Sequence, residues 1–172
     1  VVFEPALSMS WTKGFDVDHY VDVTAATLDM VAKVMGGTQR DAAANIILGL
    51  KDMAGVCPPR FMADLVTALR KRWPNLVLHY HRHYTDGLFV PSVGAAAKAG
   101  AHIVDVSLGA AARSYGQGEV LSTAAYLEDE LGLKTMLNKD MIREANFVLK
   151  QIMPFYDRYC VPYFQVIDHD VT

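Results

Sequence analysis

The sequence predicts an α/β protein built on a parallel sheet, and three observations carry that expectation. Short apolar runs bounded by turn residues alternate with longer stretches of helical spacing. The order reads β-α-β-α-β-α-β-α-α with short connections, as right-handed βαβ units require. The polar residues that stand out, Lys51, His81, His83 and Ser107, all fall at the C-terminal ends of expected strands. Four such strands suit either an open sheet or half of an eight-stranded barrel. In a (β/α)8, or TIM, barrel the chemistry collects at the C-terminal strand ends. The third observation therefore favours a partial TIM barrel.

Each element has a local reason. Residues 1–10 read as a strand, partly demoted by Pro5. Asp16 and Asp18 are N-cap candidates for a helix over 19–34 that Gly36-Gly37 closes. Residues 38–45 extend the same helical layer. The nearly continuous apolar run 46–50 predicts a strand buried on both faces. Pro58-Pro59 opens a helix in which Phe61, Met62, Leu65, Val66 and Leu69 recur at helical spacing, and Trp73-Pro74-Asn75 breaks it. Strands follow at 76–83 and 103–108, separated by an alanine-rich helix at 90–99 that Gly100 ends. Two amphipathic helices are expected near 119–131 and 139–156.

Composition narrows the function classes. The chain has 172 residues, enough for one sizeable core, and is 52% hydrophobic and 20% charged. A formal net charge of −3 gives no electrostatic case for nucleic acid or an anionic membrane. No apolar run approaches the roughly 20 residues of a membrane-spanning helix. Val1 opens an expected strand rather than a signal peptide. Cys57 and Cys160 form neither a CxxC motif nor a disulfide framework, so a cytoplasmic, reducing setting is expected. The start inside an apolar segment without methionine, and the stop at D-H-D-V-T, predict a fragment.

The chemistry concentrates in L-H-Y-H-R-H at 78–83 and I-L-G-L-K-D-M-A-G at 47–55. Side chains two apart on a strand share a face, so His79, His81 and His83 point the same way. Two imidazoles converging near a strand end make half of a divalent metal site, although solvent-facing histidines at a polar strand end would read alike. The residues alone do not say which two bind; the pair nearest the C-terminal end is the better choice. Lys51 follows a buried strand, where a charged amine is costly. It either pairs with a carboxylate such as Asp52 or stays neutral and captures carbon dioxide as a carbamate, an anionic oxygen ligand. Asp86, in Tyr84-Thr85-Asp86-Gly87, either orients a ligand or makes a turn. Arg113 lies in the small-residue loop 109–118, read as a substrate loop or a flexible connection. Cys57 has no basic partner in a nucleophile motif, and the methionines read as core filler.

These segments resemble a known family. K-D-M-A-G at 51–55, L-H-Y-H-R-H-Y-T-D-G at 78–87 and A-G-A-H-I-V-D-V at 99–106 are similar to the carboxyltransferase domain of biotin-dependent enzymes. Its members include pyruvate carboxylase, the oxaloacetate decarboxylase α subunit and the transcarboxylase keto-acid subunit. The family pattern reads K-D-M-A-G, then H-x-H-T-H-D-T, then A-G-x-D-x-V-D. The separation between Lys51 and His81 agrees with it too. The likeness is strong over 51–108.

The resemblance implies a (β/α)8 barrel with a divalent metal, zinc, manganese or cobalt, at its mouth. The ligands would be an Nζ-carboxylated Lys51, His81, His83 and an aspartate from the first strand; His79 would not bind. Carbon dioxide would pass between carboxybiotin on a separate carrier domain and the enolate of a 2-keto acid. Biotin carboxylase or decarboxylase subunits and a homo-oligomer are the implied partners. Residues 1–108 would be the C-terminal half of the barrel, about its last four strands, and 109–172 a loop and trailing helices packed on it. The aspartate ligand, a keto-acid-binding arginine and a proton-shuttling threonine would lie outside this chain. Tyr84 replaces an aspartate of the pattern, Asp86 a small residue, and S-L-G-A-A-A-R an S-M-S-G-type segment, which bears on the substrate more than on the metal. Acyl-CoA lyases of the hydroxymethylglutaryl type share the barrel and the histidine pair, but carry aspartate-threonine where this chain has Lys51-Asp52. A third expectation is a half-barrel that is inactive by itself.

Overall fold

The computed structural model describes residues 2–112 and 116–157. Arg113 lies outside them. Four parallel strands form one sheet in sequence order: β1 (Ala6–Ser8), β2 (Ile47–Asp52), β3 (Val77–Arg82) and β4 (Ile103–Val104). Helices α1 (Val17–Met35) and α2 (Gln39–Asn45) join β1 to β2, α3 (Pro59–Arg72) joins β2 to β3, and α4 (Phe89–Ala99) joins β3 to β4. Helices α5 (Val120–Asp129) and α6 (Lys139–Asp157) follow. The sequential, all-parallel order with helical crossovers is that of a partial TIM barrel.

Local chemistry sets the boundaries. The Asp16 carboxylate accepts from the His19 N–H at 2.9 Å and caps α1, while Asp18 lies within the first turn. Gly36 ends the helix in the left-handed conformation. Residues 38–45 extend the helical layer as a separate second helix. Thr38 and Asp41 cap α2 reciprocally, satisfying two backbone donors. The expected strand at 103–108 is much shorter, and Ser107 falls outside it. Asp105 N–H still reaches Tyr80 O at 3.3 Å, but Ser107 N–H bonds Gly118 O at 2.9 Å. Since β3 ends at Arg82, the later backbone groups pair with the segment before α5 instead.

Alternation along the strands separates two faces. Leu7 and Met9, Leu48 and Leu50, and Leu78 and Tyr80 point toward the helices and are buried. They meet Tyr20 and Leu28 of α1, Met62, Leu65 and Leu69 of α3, and Phe89 and Val93 of α4. Each fully buried leucine contributes about 2 kcal/mol. The opposite face carries Ala6, Ser8, Gly49, Lys51, His79 and His81. It is polar and, apart from buried Gly49, half-buried or exposed. This is the side that becomes the interior when such a sheet closes into a barrel.

Candidate functional site

Register places the chemistry on that polar face. Lys51 is aligned with Ser8 on β1 and with His81 on β3, and Gly49 with His79. Adjacent strands lie about 4.8 Å apart, so a lysine tip on β2 reaches the rings on β3. Lys51 is half-buried at the C-terminal end of its strand.

Beyond Arg82 the chain keeps the alternation long enough for His83 to face His81. Their Nε2 atoms are 3.3 Å apart, with the rings tilted by 71°. The other nitrogen of His81, Nδ1, lies 2.7 Å from Asp105 Oδ2. Burial tends to raise the Asp105 carboxyl, but the hydrogen bond with His81 and the close approach of His79 outweigh it and hold the group below its usual range. Asp105 is thus an anionic acceptor, and His81 Nδ1–H must donate. In the tautomer with its proton on Nδ1, the Nε2 lone pair turns toward His83.

His79 is placed differently. Its Nδ1 is 2.5 Å from Glu4 Oε1, and its Nε2 is 2.9 Å from Asp105 Oδ1, an ion-pair contact outside hydrogen-bond line. Burial pulls this imidazole down, yet the Glu4 and Asp105 carboxylates together hold it above its ordinary value. Both ring nitrogens face carboxylates, so neither is directed at a metal. Glu4 reaches His79 by crossing β2 at Gly49. A Cβ there would stand 3.3 Å from Ala6 Cα and 3.4 Å from the Glu4 carboxylate. The result is a line of contacts from Glu4 through His79, Asp105 and His81 to His83.

Asp52 and Asp86 lie on the other side of the sheet. Consecutive strand residues point oppositely, so Asp52 turns away from Lys51 and no Lys51–Asp52 pair forms. Its carboxylate accepts from Val56 N–H at 3.1 Å and Cys57 N–H at 3.0 Å. Asp86 pairs with Arg82, and Asp52 stands 3.8 Å from the same guanidinium. Cys57 is buried beside them; burial, then the Asp52 charge, push its thiol far up, so it is no nucleophile. Sequence reading assigned no role to Glu4, Asp105 or Arg82. Asp105 lies within the 99–106 motif, and Arg82 announces itself as a charge at a position whose parity on β3 is buried.

Among the described residues, no group of three or more histidine, cysteine, aspartate or glutamate side chains is arranged to hold a metal. The histidine pair by itself fits one. Two nitrogens each 2.0–2.1 Å from a tetrahedral zinc stand about 3.3–3.4 Å apart, the spacing of the two Nε2 atoms. The carboxylate on His81 Nδ1 is the usual outer partner of a metal-binding imidazole.

No family model matches the chain. Pyruvate carboxylase of Schizosaccharomyces pombe is 36% identical over 95 residues, 55% of this chain and 7% of that protein. Pyruvate carboxylase of Aspergillus terreus is 32% identical over 132 residues, 73% of this chain and 11% of that protein. The chain thus spans about a tenth or less of the length of these relatives. The carboxyl transferase domain of Rhizobium etli pyruvate carboxylase, solved with pyruvate, matches the fold with a TM-score of 0.74 at 24% identity, over 90% of this chain and 25% of that one. That likeness shows the barrel architecture, while the sequence relatives carry the lineage. A partial barrel that shares its strand order with one domain, and its sequence with the enzymes containing it, belongs to the carboxyltransferase-domain family of pyruvate carboxylase.

Proposed function

We propose that this chain supplies part of a metal-dependent carboxyltransferase centre that moves carbon dioxide between carboxybiotin and a 2-keto acid of the pyruvate or oxaloacetate type. The observation that carries the reading is the His81–His83 pair, with facing Nε2 atoms, set beside Lys51 on one face of a parallel sheet. His81 and His83 hold a divalent ion, and Lys51, carboxylated at Nζ, supplies an anionic oxygen. Once bound, the ion supplies Lewis-acid polarisation of the keto acid.

The remaining work falls to this chain's own groups. Asp105 fixes the ring orientation and tautomer of His81. His79, held between Glu4 and Asp105, keeps Asp105 in place without competing for the ion. In this reading residues 1–108 are the C-terminal half of the barrel and 109–172, of which 113–115 and 158–172 lie outside the described residues, are the segment that follows it. The whole protein works in the cytoplasm as a homo-oligomer, with a biotin carrier domain and biotin carboxylase or decarboxylase subunits. An acyl-CoA lyase reading is disfavoured by Lys51 itself.

The test uses the whole protein that carries this chain. His81→Ala and His83→Ala should each abolish metal retention and carboxyl transfer, whereas His79→Ala should retain most of its metal. Metal content per protein and carboxybiotin-dependent transfer to pyruvate measure both. Full metal content in the first two variants, with loss in the third, would show that the wrong pair has been chosen.

A further inference from the structure

Arg82 ends β3 and has no exposed surface. A buried guanidinium persists only where both its charge and its donors are matched. Nη2 donates to Gly55 O at 2.7 Å and pairs with Asp86. Nη1 donates to Cys57 O at 3.2 Å and to Ser92 Oγ, and Nε donates to His83 O at 3.4 Å. Asp86 in turn accepts from Leu88 N–H at 2.8 Å. These partners come from the loop after β2, the loop after β3 and helix α4. The first loop follows Lys51, and the second begins with His83.

The two loops also touch directly. Gly55 has φ +67°, and a Cβ there would stand 2.4 Å from His83 O and 2.5 Å from Thr85 Oγ1. Thr85 Oγ1 donates to Ala54 O. Arg82 stands where the family pattern has threonine, and Asp86 where it has a small residue. The two departures contact each other. Arg82 also has Asp52 at 3.8 Å, but Asp86 would be buried without its guanidinium, so the pair reads as one change rather than two.

We propose that Arg82 and Asp86 form a paired strut that ties the two loops together and thereby sets His83 against the end of β2. They are positioning residues, on the side of the sheet away from the metal ligands. The consequence for the ion rests on the functional reading above; the strut itself does not.

The test is a double-mutant cycle in the whole protein: Arg82→Thr, Asp86→Ser and both together, with Arg82→Lys as a control. Hydrogen–deuterium exchange is followed by mass spectrometry over 53–58 and 83–88, and Co2+ binding by visible absorption. Each single variant should speed exchange in both segments while α1 keeps its wild-type rate. The double variant should cost less than the two singles combined. Arg82→Lys should not rescue, because an ammonium cannot serve the same fork of acceptors. Cobalt affinity should fall about 10- to 100-fold in the singles, as for loss of an outer partner of a metal ligand, with a shifted absorption band.

Additive effects, wild-type exchange in both loops, or an increase spread evenly over the chain would each overturn the strut. Loosened loops with unchanged cobalt affinity and spectrum would overturn the positioning of His83. A wild-type protein that takes up no Co2+ would count against the metal reading alone, and the exchange cycle would still decide the strut.

Discussion

Lys51 is the residue on which the proposed chemistry turns, and its neighbours sharpen that proposal. Asp52 faces the other way and is committed to Arg82 and two backbone amides. Among the described residues, no ion pair accounts for Lys51. Lys51→Arg in the whole protein should therefore abolish carboxyl transfer, because arginine keeps the charge but forms no stable carbamate. Assaying the transfer step together with metal content checks this; wild-type-like activity would eliminate the carbamate. The strand parity of the three histidines and of Lys51 was legible in the sequence. Glu4 was not: it meets His79 across 75 residues of sequence, over Gly49, where a Cβ would stand 3.4 Å from its carboxylate. No local periodicity announces such a contact. Arg82 was legible in principle, since strand parity buries it and an acid lies four residues on.

At the scale of elements, the helices followed from caps and spacing. Asp16, Pro59 and Gly100 act where the sequence places them, and the Thr38 cap of α2 is added by the structure. Strand length was the weak point. The extent of β4 depends on how long its neighbour stays alongside: Asp105 N–H still reaches Tyr80 O, but β3 ends at Arg82 and Ser107 pairs with the segment before α5. The loop after β2 is governed by Gly55. Gly55→Ala should destabilise the domain by at least about 1–2 kcal/mol from the left-handed backbone alone. The clash with His83 O adds to this cost. Thermal unfolding of the whole protein should show a lowered midpoint, and metal affinity should drop with it. An unchanged midpoint would mean that the loop relaxes freely and does not brace His83.

At the scale of the molecule, the sheet is covered on one side only by the helices named above. Val2, Phe3, Met30 and Val34 remain largely exposed near β1, where Phe3, Pro5, Val31 and Ile46 line an apolar groove. The chain matches about a quarter of the length of the domain structure it resembles. Expressed alone, it should self-associate or order only partly, bind metal weakly and transfer no carboxyl group. Sedimentation and the carboxybiotin-dependent assay, run on the same preparation, test this. A monomeric, active 172-residue chain would make the rest of the barrel dispensable. The line from Glu4 to His83 carries one further consequence. A TIM barrel ordinarily fills its centre with branched apolar side chains, but here one layer is built of carboxylates and imidazoles in contact. Closure of the ring would shut out water and strengthen each contact in that layer. Completing the ring should therefore also tighten the site. A substitution on a distant strand that merely slackens the ring should appear first as a leaking metal, well before the protein loses its shape.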